Sequence, residues 1–119
     1  ATPDYEVWAI DWPPGTGIDL HDHGASAGAF CVVAGELHET VVTDEGATAE
    51  RTWRRGEGTR FAVGHTHRIV NSGRATATSV HVYSPPLSAM TYYDGAEEVG
   101  RSTLRGTPTA TLPSEGLAR

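Results

Sequence analysis

The chain has 119 residues and a formal charge of −6, with nine basic residues against fifteen acidic ones. That length makes one domain and excludes two independent cores, and the acidic balance argues against a nucleic-acid or anionic-membrane surface. All nine basic residues are arginine, and no apolar run approaches the roughly 20 residues that span a bilayer. Nothing reads as a signal peptide, and a single cysteine, Cys31, forms no internal disulfide, so a cytoplasmic protein is expected. Fourteen glycines and seven prolines imply many turns and little helix. The chain opens Ala1-Thr2-Pro3-Asp4 without methionine, and the expectation is that the numbering starts inside a longer native chain.

Apolar residues alternate or cluster in short stretches bounded by Gly, Pro, Asp and Ser, the pattern of an all-β domain. In chain order the predicted strands are Tyr5–Asp11, Ile18–His23, Ala29–Val33, Glu36–Val42, Glu50–Arg54, Thr59–Val63, His67–Asn71 and Thr76–Ser84. Thr91–Tyr93 offers a last strand. Pro13-Pro14-Gly15, Ala34-Gly35, Thr43–Gly46, Arg55–Gly58, Asn71-Ser72-Gly73 and Pro85-Pro86 supply the turns between them. Short strands at this spacing predict a small barrel or jelly roll over residues 1–94. Residues 95–119 are polar and poor in large apolar side chains, and Gly106–Arg119 is expected to be an extended or loosely ordered tail.

Six histidines fall at positions 21, 23, 38, 65, 67 and 81. His21-Asp22-His23 lies on a predicted strand, where period-two geometry turns both imidazoles to one face. Neutral imidazole suits first-row metals such as Fe, Zn, Cu or Ni. Two solvent-facing strand histidines would read the same way, so the flanking pattern matters. Gly15-x5-His21-x-His23-x4-Gly28-x6-Gly35 resembles the first cupin motif, with glycine at 28 where that motif carries glutamate. Gly56-x5-Ala62-x-Gly64-x2-His67-x3-Asn71 resembles the second, with alanine at 62 in place of proline. The resemblance implies a cupin, a double-stranded β-helix barrel, with three imidazoles and no carboxylate around a metal. A vestigial, metal-free pocket is the competing reading.

Ser79-Val80-His81-Val82-Tyr83-Ser84-Pro85-Pro86, after His67-Arg68-Ile69-Val70-Asn71, resembles thiol dioxygenases of the cysteine dioxygenase type. Trp12-Pro13-Pro14-Gly15 and His21-Asp22-His23-Gly24 are similar to its bacterial members. The resemblance implies that His21, His23 and His67 hold Fe(II), with Ser79, His81 and Tyr83 as a hydrogen-bonded chain whose phenol points into the site. Alternation along the strand independently puts 79, 81 and 83 on one face. Burying serine, imidazole and phenol together requires that they satisfy one another. A tyrosine and a histidine merely packed at a barrel wall is the bland alternative.

The chain departs from that family at several positions. Some animal members crosslink the tyrosine to a cysteine where this chain has Gly28, so that crosslink cannot form here. Cys31 faces away from position 28 by strand alternation and is expected to be a small buried residue. The family's substrate-carboxylate anchor, an arginine or a glutamine, lies before the segment matching Tyr5–Asp11; either the numbering begins after it or another arginine serves, and Arg60 and Arg68, flanking the second motif, are then the candidates for substrate binding. His65 competes with His67 as a ligand, although the spacing to Asn71 favours His67. Trp8 and Trp12 are expected in the core, Trp53 at the surface against arginine stems, and His38 facing solvent. Tyr92 and Tyr93 close a barrel mouth or cover an edge.

By that resemblance, a small thiol such as cysteine or a related mercapto acid is oxidised by O2 to its sulfinic acid. The thiolate coordinates Fe(II), an amine supplies a second donor, and Tyr83 hydrogen-bonds to bound oxygen or to the substrate carboxylate. Gly28 leaves room where a glutamate would compete for the coordination site. Three rivals compete: a three-histidine cupin that shares the ligands but cleaves a carbon–carbon bond, a metal-free or ligand-sensing cupin that binds a small molecule without catalysis, and a zinc or nickel site on the same imidazoles without redox chemistry. No nucleic-acid or membrane partner is expected, and the chain is read as a monomer or a weak homo-oligomer.

Overall fold

In the computed structural model, residues 4–94, 97–103 and 110–112 are described, the last two stretches through their backbone. Two antiparallel sheets face each other. One has the strand order β11-β1-β8-β3-β6 and the other β10-β9-β2-β7-β4-β5. The strands are β1 Tyr5–Trp12, β2 Gly17–His21, β3 Ala27–Ala34, β4 Glu36–Val42, β5 Thr48–Arg54 and β6 Gly58–Phe61. They continue with β7 His67–Val70, β8 Ala77–Ser84, β9 Ala89–Asp94, β10 Glu97–Thr103 and β11 Ala110–Leu112. The described residues hold no helix long and apolar enough to cross a membrane.

Every predicted strand is present, with ends displaced by a few residues. The offered last strand is longer than Thr91–Tyr93 and pairs with β2 through His21 and Tyr92. Two stretches of the polar C-terminal segment are strands: β10 pairs with β9, and β11, within the stretch expected to be extended or loosely ordered, pairs with Tyr5–Val7 of β1. Residues 104–109 and 113–119 of the expected tail lie outside the described residues.

Period-two alternation decides what each strand presents to the interior. On β8, Ala77, Ser79, His81 and Tyr83 are buried while Thr78, Val80 and Val82 are half-buried on the other face. Cross-strand register fixes their neighbours. Ser79, His81 and Tyr83 stand opposite Ile10, Trp8 and Glu6 of β1, and opposite Val32, Phe30 and Gly28 of β3. Trp12, Phe30, Val32, Leu37, Trp53, Phe61, Ile69 and Met90 pack between the sheets as the core. Trp53 therefore belongs inside, contrary to the sequence expectation. Its indole reaches a buried acceptor, and Arg51 caps the ring at 3.8 Å. Cys31 faces away from position 28's inner neighbours as alternation requires, but it is half-buried rather than buried.

Two glycines are demanded by close approach. Gly35 turns β3 into β4 at φ +69°, and a Cβ there would stand 2.8 Å from the Cα of Ala77. At Gly28 a Cβ would meet the Val82 carbonyl oxygen at 2.5 Å and the Phe61 ring at 2.8 Å. The expectation that glycine leaves free room at 28 is thus corrected, because Phe61 packs into that space. Asn71, fully buried at the end of β7, donates to the carbonyls of Trp12 and Ala75 and accepts from Gly73 N–H. It ties the β7–β8 loop to the end of β1.

Candidate metal centre

β2, the turn after it and β7 bring His21, His23 and His67 together. Strand alternation was expected to align His21 and His23, but β2 ends at His21 and its ladder with β7 is irregular between Ile18 and His21. His23 reaches the same place from the following turn, which Asp22 holds. Asp22 N–H donates to the Thr91 carbonyl, and its carboxylate accepts from Gly24 N–H, Thr91 N–H and the Tyr93 hydroxyl. Tyr93 thus braces the turn rather than closing a mouth, and Tyr92 lies against His21 at 6.0 Å between ring centres.

One ring nitrogen from each of the three histidines falls within 4.8 Å of the others, and all three side chains are buried. His67 Nε2 and His23 Nε2 are 3.1 Å apart. Two nitrogens about 2.1 Å from one ion and at right angles stand about 3 Å apart, so the spacing fits a shared ion. The tautomers fit as well. His21 donates Nδ1–H to the Asp19 carbonyl at 2.6 Å, and His67 donates Nδ1–H to Glu39 at 2.6 Å. Each leaves Nε2 with a lone pair. Burial, then the neighbouring histidines, push His21 down to about 4 and His23 down to about 2. Burial also lowers His67 against the opposing pull of Glu39. At neutral pH these rings are uncharged donors.

His21 and His67 form part of the wall of a cavity of about 160 Å³ lined by Trp8, Ile10, Trp12, Ile18, Ile69, His81, Tyr83, Leu87 and Met90. Most of these walls are apolar; Tyr83 and His81 add polar groups. The polar chain runs through Ser79, which is fully buried. Trp12 Nε1–H donates to Ser79 Oγ at 2.8 Å, and Ser79 Oγ lies 2.6 Å from His81 Nε2. An indole nitrogen only donates. Ser79 Oγ therefore accepts from Trp12, and the direction of its bond with His81 follows the tautomer of that ring. His81 Nδ1 stands 3.5 Å from the Tyr83 oxygen, a long contact. The Tyr83 hydroxyl ends this chain at the cavity wall. Burial, followed by the negative charge of Glu6, raises the phenol above its ordinary value, so it stays a donor. Burial, followed by the charges of His67 and His21, lowers His81 to about 4.

Arg60 and Arg68 do not reach this cavity. Arg68 is exposed on the outward side of β7 between inward His67 and Ile69, and Arg60 is exposed along outer grooves with Ala29 and Val82 or with Glu50 and Arg51. Neither is placed to anchor a substrate there. His65 stays outside the three-histidine group, half-buried, with Nε2 3.3 Å from Glu39. His38 pairs with Glu50 at 2.7 Å at the surface.

Two carboxylates escaped the sequence reading. Glu6 is buried and accepts from Trp8 Nε1–H and Leu87 N–H, holding the Pro85-Pro86-Leu87 turn against β1. Glu39, on β4, is 3% exposed and accepts from His67, His65 and Trp53. Alternation along Glu36–Val42 was the available signal, since it puts Glu39 on the face of Leu37.

The comparisons with known proteins agree with the fold and give the family. Among solved structures, a recombinant oxalate oxidase in complex with glycolate superposes with a TM-score of 0.68 at 24% identity, over 75% of this chain. The chain spans 46% of that protein, about half its length. An uncharacterised conserved protein with a double-stranded β-helix domain from Klebsiella pneumoniae superposes with a TM-score of 0.62 at 21% identity, over 88% of this chain and 78% of its own. A Thermus thermophilus protein does so at 0.62 and 19%, over 72% and 77%. At these identities the likeness carries the double-stranded β-helix fold alone. The family model for cysteine dioxygenase type I matches residues 2–96. That match takes in every motif histidine and the whole Ser79–Tyr83 strand, and the chain belongs to the cysteine dioxygenase type I family, a cupin dioxygenase group, with a three-histidine site suited to a metal.

Proposed function

We propose that this chain is a non-haem iron thiol dioxygenase that converts a small thiol, cysteine or a related mercapto acid, and O2 into the sulfinic acid. The observation that carries the proposal is a buried group of three neutral imidazoles, without a carboxylate among them, at the wall of a small cavity into which Tyr83 projects. His21, His23 and His67 would hold Fe(II), and a ferrous ion there supplies the electron transfer by which both atoms of O2 add to sulfur.

The protein's own groups bind and orient. With no carboxylate among the three uncharged nitrogens, the cation at the site favours the thiolate over the thiol. The apolar walls exclude water from the sulfur and admit O2. The cavity is small enough to favour a thiol of a few heavy atoms over a bulky one. Tyr83, kept protonated by burial, donates a hydrogen bond to the substrate or the oxygen beside it. Trp12, Ser79 and His81 hold that orientation. A reduced thiol substrate and the lone Cys31 fit a reducing compartment, so we place the protein in the cytoplasm.

The test is anaerobic loading with Fe(II), then O2 consumption and sulfinate yield with cysteine, 3-mercaptopropionate and cysteamine. Sulfinate formed one-for-one with O2 consumed is expected for at least one thiol. An iron-loaded chain that consumes no O2 with any of them refutes the proposal. Tyr83→Phe is expected to lower turnover while leaving iron content intact.

A further inference from the structure

Glu39 stands outside the three-histidine group yet touches one of its members. Its Oε2 accepts from His67 Nδ1 at 2.6 Å and from His65 Nε2 at 3.3 Å, and its Oε1 accepts from Trp53 Nε1–H at 2.9 Å. Three donors converge on a buried carboxylate contributed by β4. We propose that Glu39 is a positioning residue for the metal. It holds the proton of His67 on Nδ1, so that Nε2 faces the ion as a lone pair. It also supplies, from behind that ring, the negative charge that position 28 cannot. This rests on the reading of His21, His23 and His67 as the metal ligands.

The charge argument follows from the packing at Gly28. A side chain there would collide with the Val82 carbonyl and the Phe61 ring, so a carboxylate cannot approach from β3. A divalent ion on three neutral nitrogens in an apolar interior lacks a counter-charge. Glu39 provides one a single imidazole away, and through the hydrogen bond it makes that imidazole a stronger donor. The same carboxylate with His65 and His67 forms another group whose ligand atoms lie within 4.8 Å. The His67 nitrogen nearest that carboxylate is Nδ1, already hydrogen-bonded to it, so an ion bound between them would first have to break the 2.6 Å bond.

Glu39→Gln tests the proposal because Trp53 constrains the amide. The indole can only donate, so the carbonyl oxygen of the glutamine turns to Trp53 and its NH2 turns to His67 Nδ1. His67 must then carry its proton on Nε2, the nitrogen 3.1 Å from His23. Two-bond proton–nitrogen spectra of the metal-free, histidine-labelled chain read the tautomer directly. The expected result is Nδ1–H for His67 in the wild type and Nε2–H in Glu39→Gln. Chelator competition should show Fe(II) affinity falling about 10–100-fold. Trp53→Phe alone should change neither. The double variant Glu39→Gln/Trp53→Phe frees the amide to turn its oxygen to His67, and it should regain the Nδ1–H tautomer and most of the affinity. An unchanged tautomer in Glu39→Gln, or a double variant no better than the single one, overturns the proposal. So does an affinity that falls as far with His65→Ala, which puts the ion in the outer group. A wild type that takes up no Fe(II) overturns the metal reading itself, and the tautomer spectra distinguish that failure from a failure of Glu39's hold on His67.

Discussion

Removing the Ser79 hydroxyl probes the polar chain at its most connected atom. Ser79 Oγ takes the Trp12 indole proton at 2.8 Å and meets His81 Nε2 at 2.6 Å, in a position with 0% exposure. Ser79→Ala leaves both partners buried with nothing to bond to. An orphaned buried donor or acceptor costs about 1–3 kcal/mol, so two cost roughly 2–6 kcal/mol, a large part of the ~5–15 kcal/mol that holds a domain together. With a urea slope of about 2 kcal/mol/M, the unfolding midpoint of the metal-free protein should fall by roughly 1–3 M with the slope unchanged. Trp12→Phe removes one of the orphans. In the alanine background it should therefore cost less than in the wild type, with a coupling of about 0.5–3 kcal/mol. A Ser79→Ala midpoint within 0.3 M of wild type, or strict additivity with Trp12→Phe, would show that the three groups do not share a bond network.

His67→Ala should abolish Fe(II) uptake and also destabilise the metal-free chain, because Glu39 loses its shortest partner; His65→Ala should retain the iron, as measured by iron content after desalting, and the reverse pattern would exchange the two roles. Gly28→Ala should cost about 1–3 kcal/mol by overpacking, seen as a lower unfolding midpoint, and an unaffected midpoint would mean that Phe61 and the Val82 carbonyl yield freely. The metal-free chain should be acid-sensitive. His21 and His81 are held at about 4, whereas an unfolded imidazole titrates near 6.5. Between those values the unfolded chain binds protons that the folded chain does not, so stability is full above about pH 6.5 and declines toward pH 4 by on the order of 1 kcal/mol per pH unit for each ring. Glu39 adds to the decline lower down. Burial alone would raise its carboxyl, but the bonds from His65, His67 and Trp53 outweigh that and hold it at about 2 against 4.5, so its contribution fades below about pH 4.5. A midpoint constant from pH 7 to pH 5 would contradict the burial of these rings.

Strand positions, the inward face of β8 and the three motif histidines were legible in the sequence because each rests on local information. Alternating apolar residues, turn-forming Gly and Pro, and fixed intervals survive without knowledge of what packs where. Position 79 to position 83 reads as one face of one strand in any register. What joins those elements was not legible. Trp53 looked like a surface residue beside three arginines, and only the pairing of β5 with β4 turns its indole onto Glu39. Arg60 and Arg68 looked close to the site in sequence and are turned away from it, because a neighbour one step along a strand faces the opposite side. Gly28 suggested free space, and Phe61, thirty-odd positions later but directly paired with it, fills that space.

The sequence alone thus determined an all-β chain of the cupin kind with a histidine triad and a Ser-His-Tyr strand, since spacing and period-two alternation are properties of the covalent chain. Closure of the two sheets decided which carboxylate lies behind the triad, which aromatic ring fills the gap at Gly28, and that the Trp12 indole joins the polar chain of Ser79, His81 and Tyr83. Those outcomes depend on contacts between residues far apart in the chain, and a single-residue change of register would exchange the buried and solvent faces of a strand.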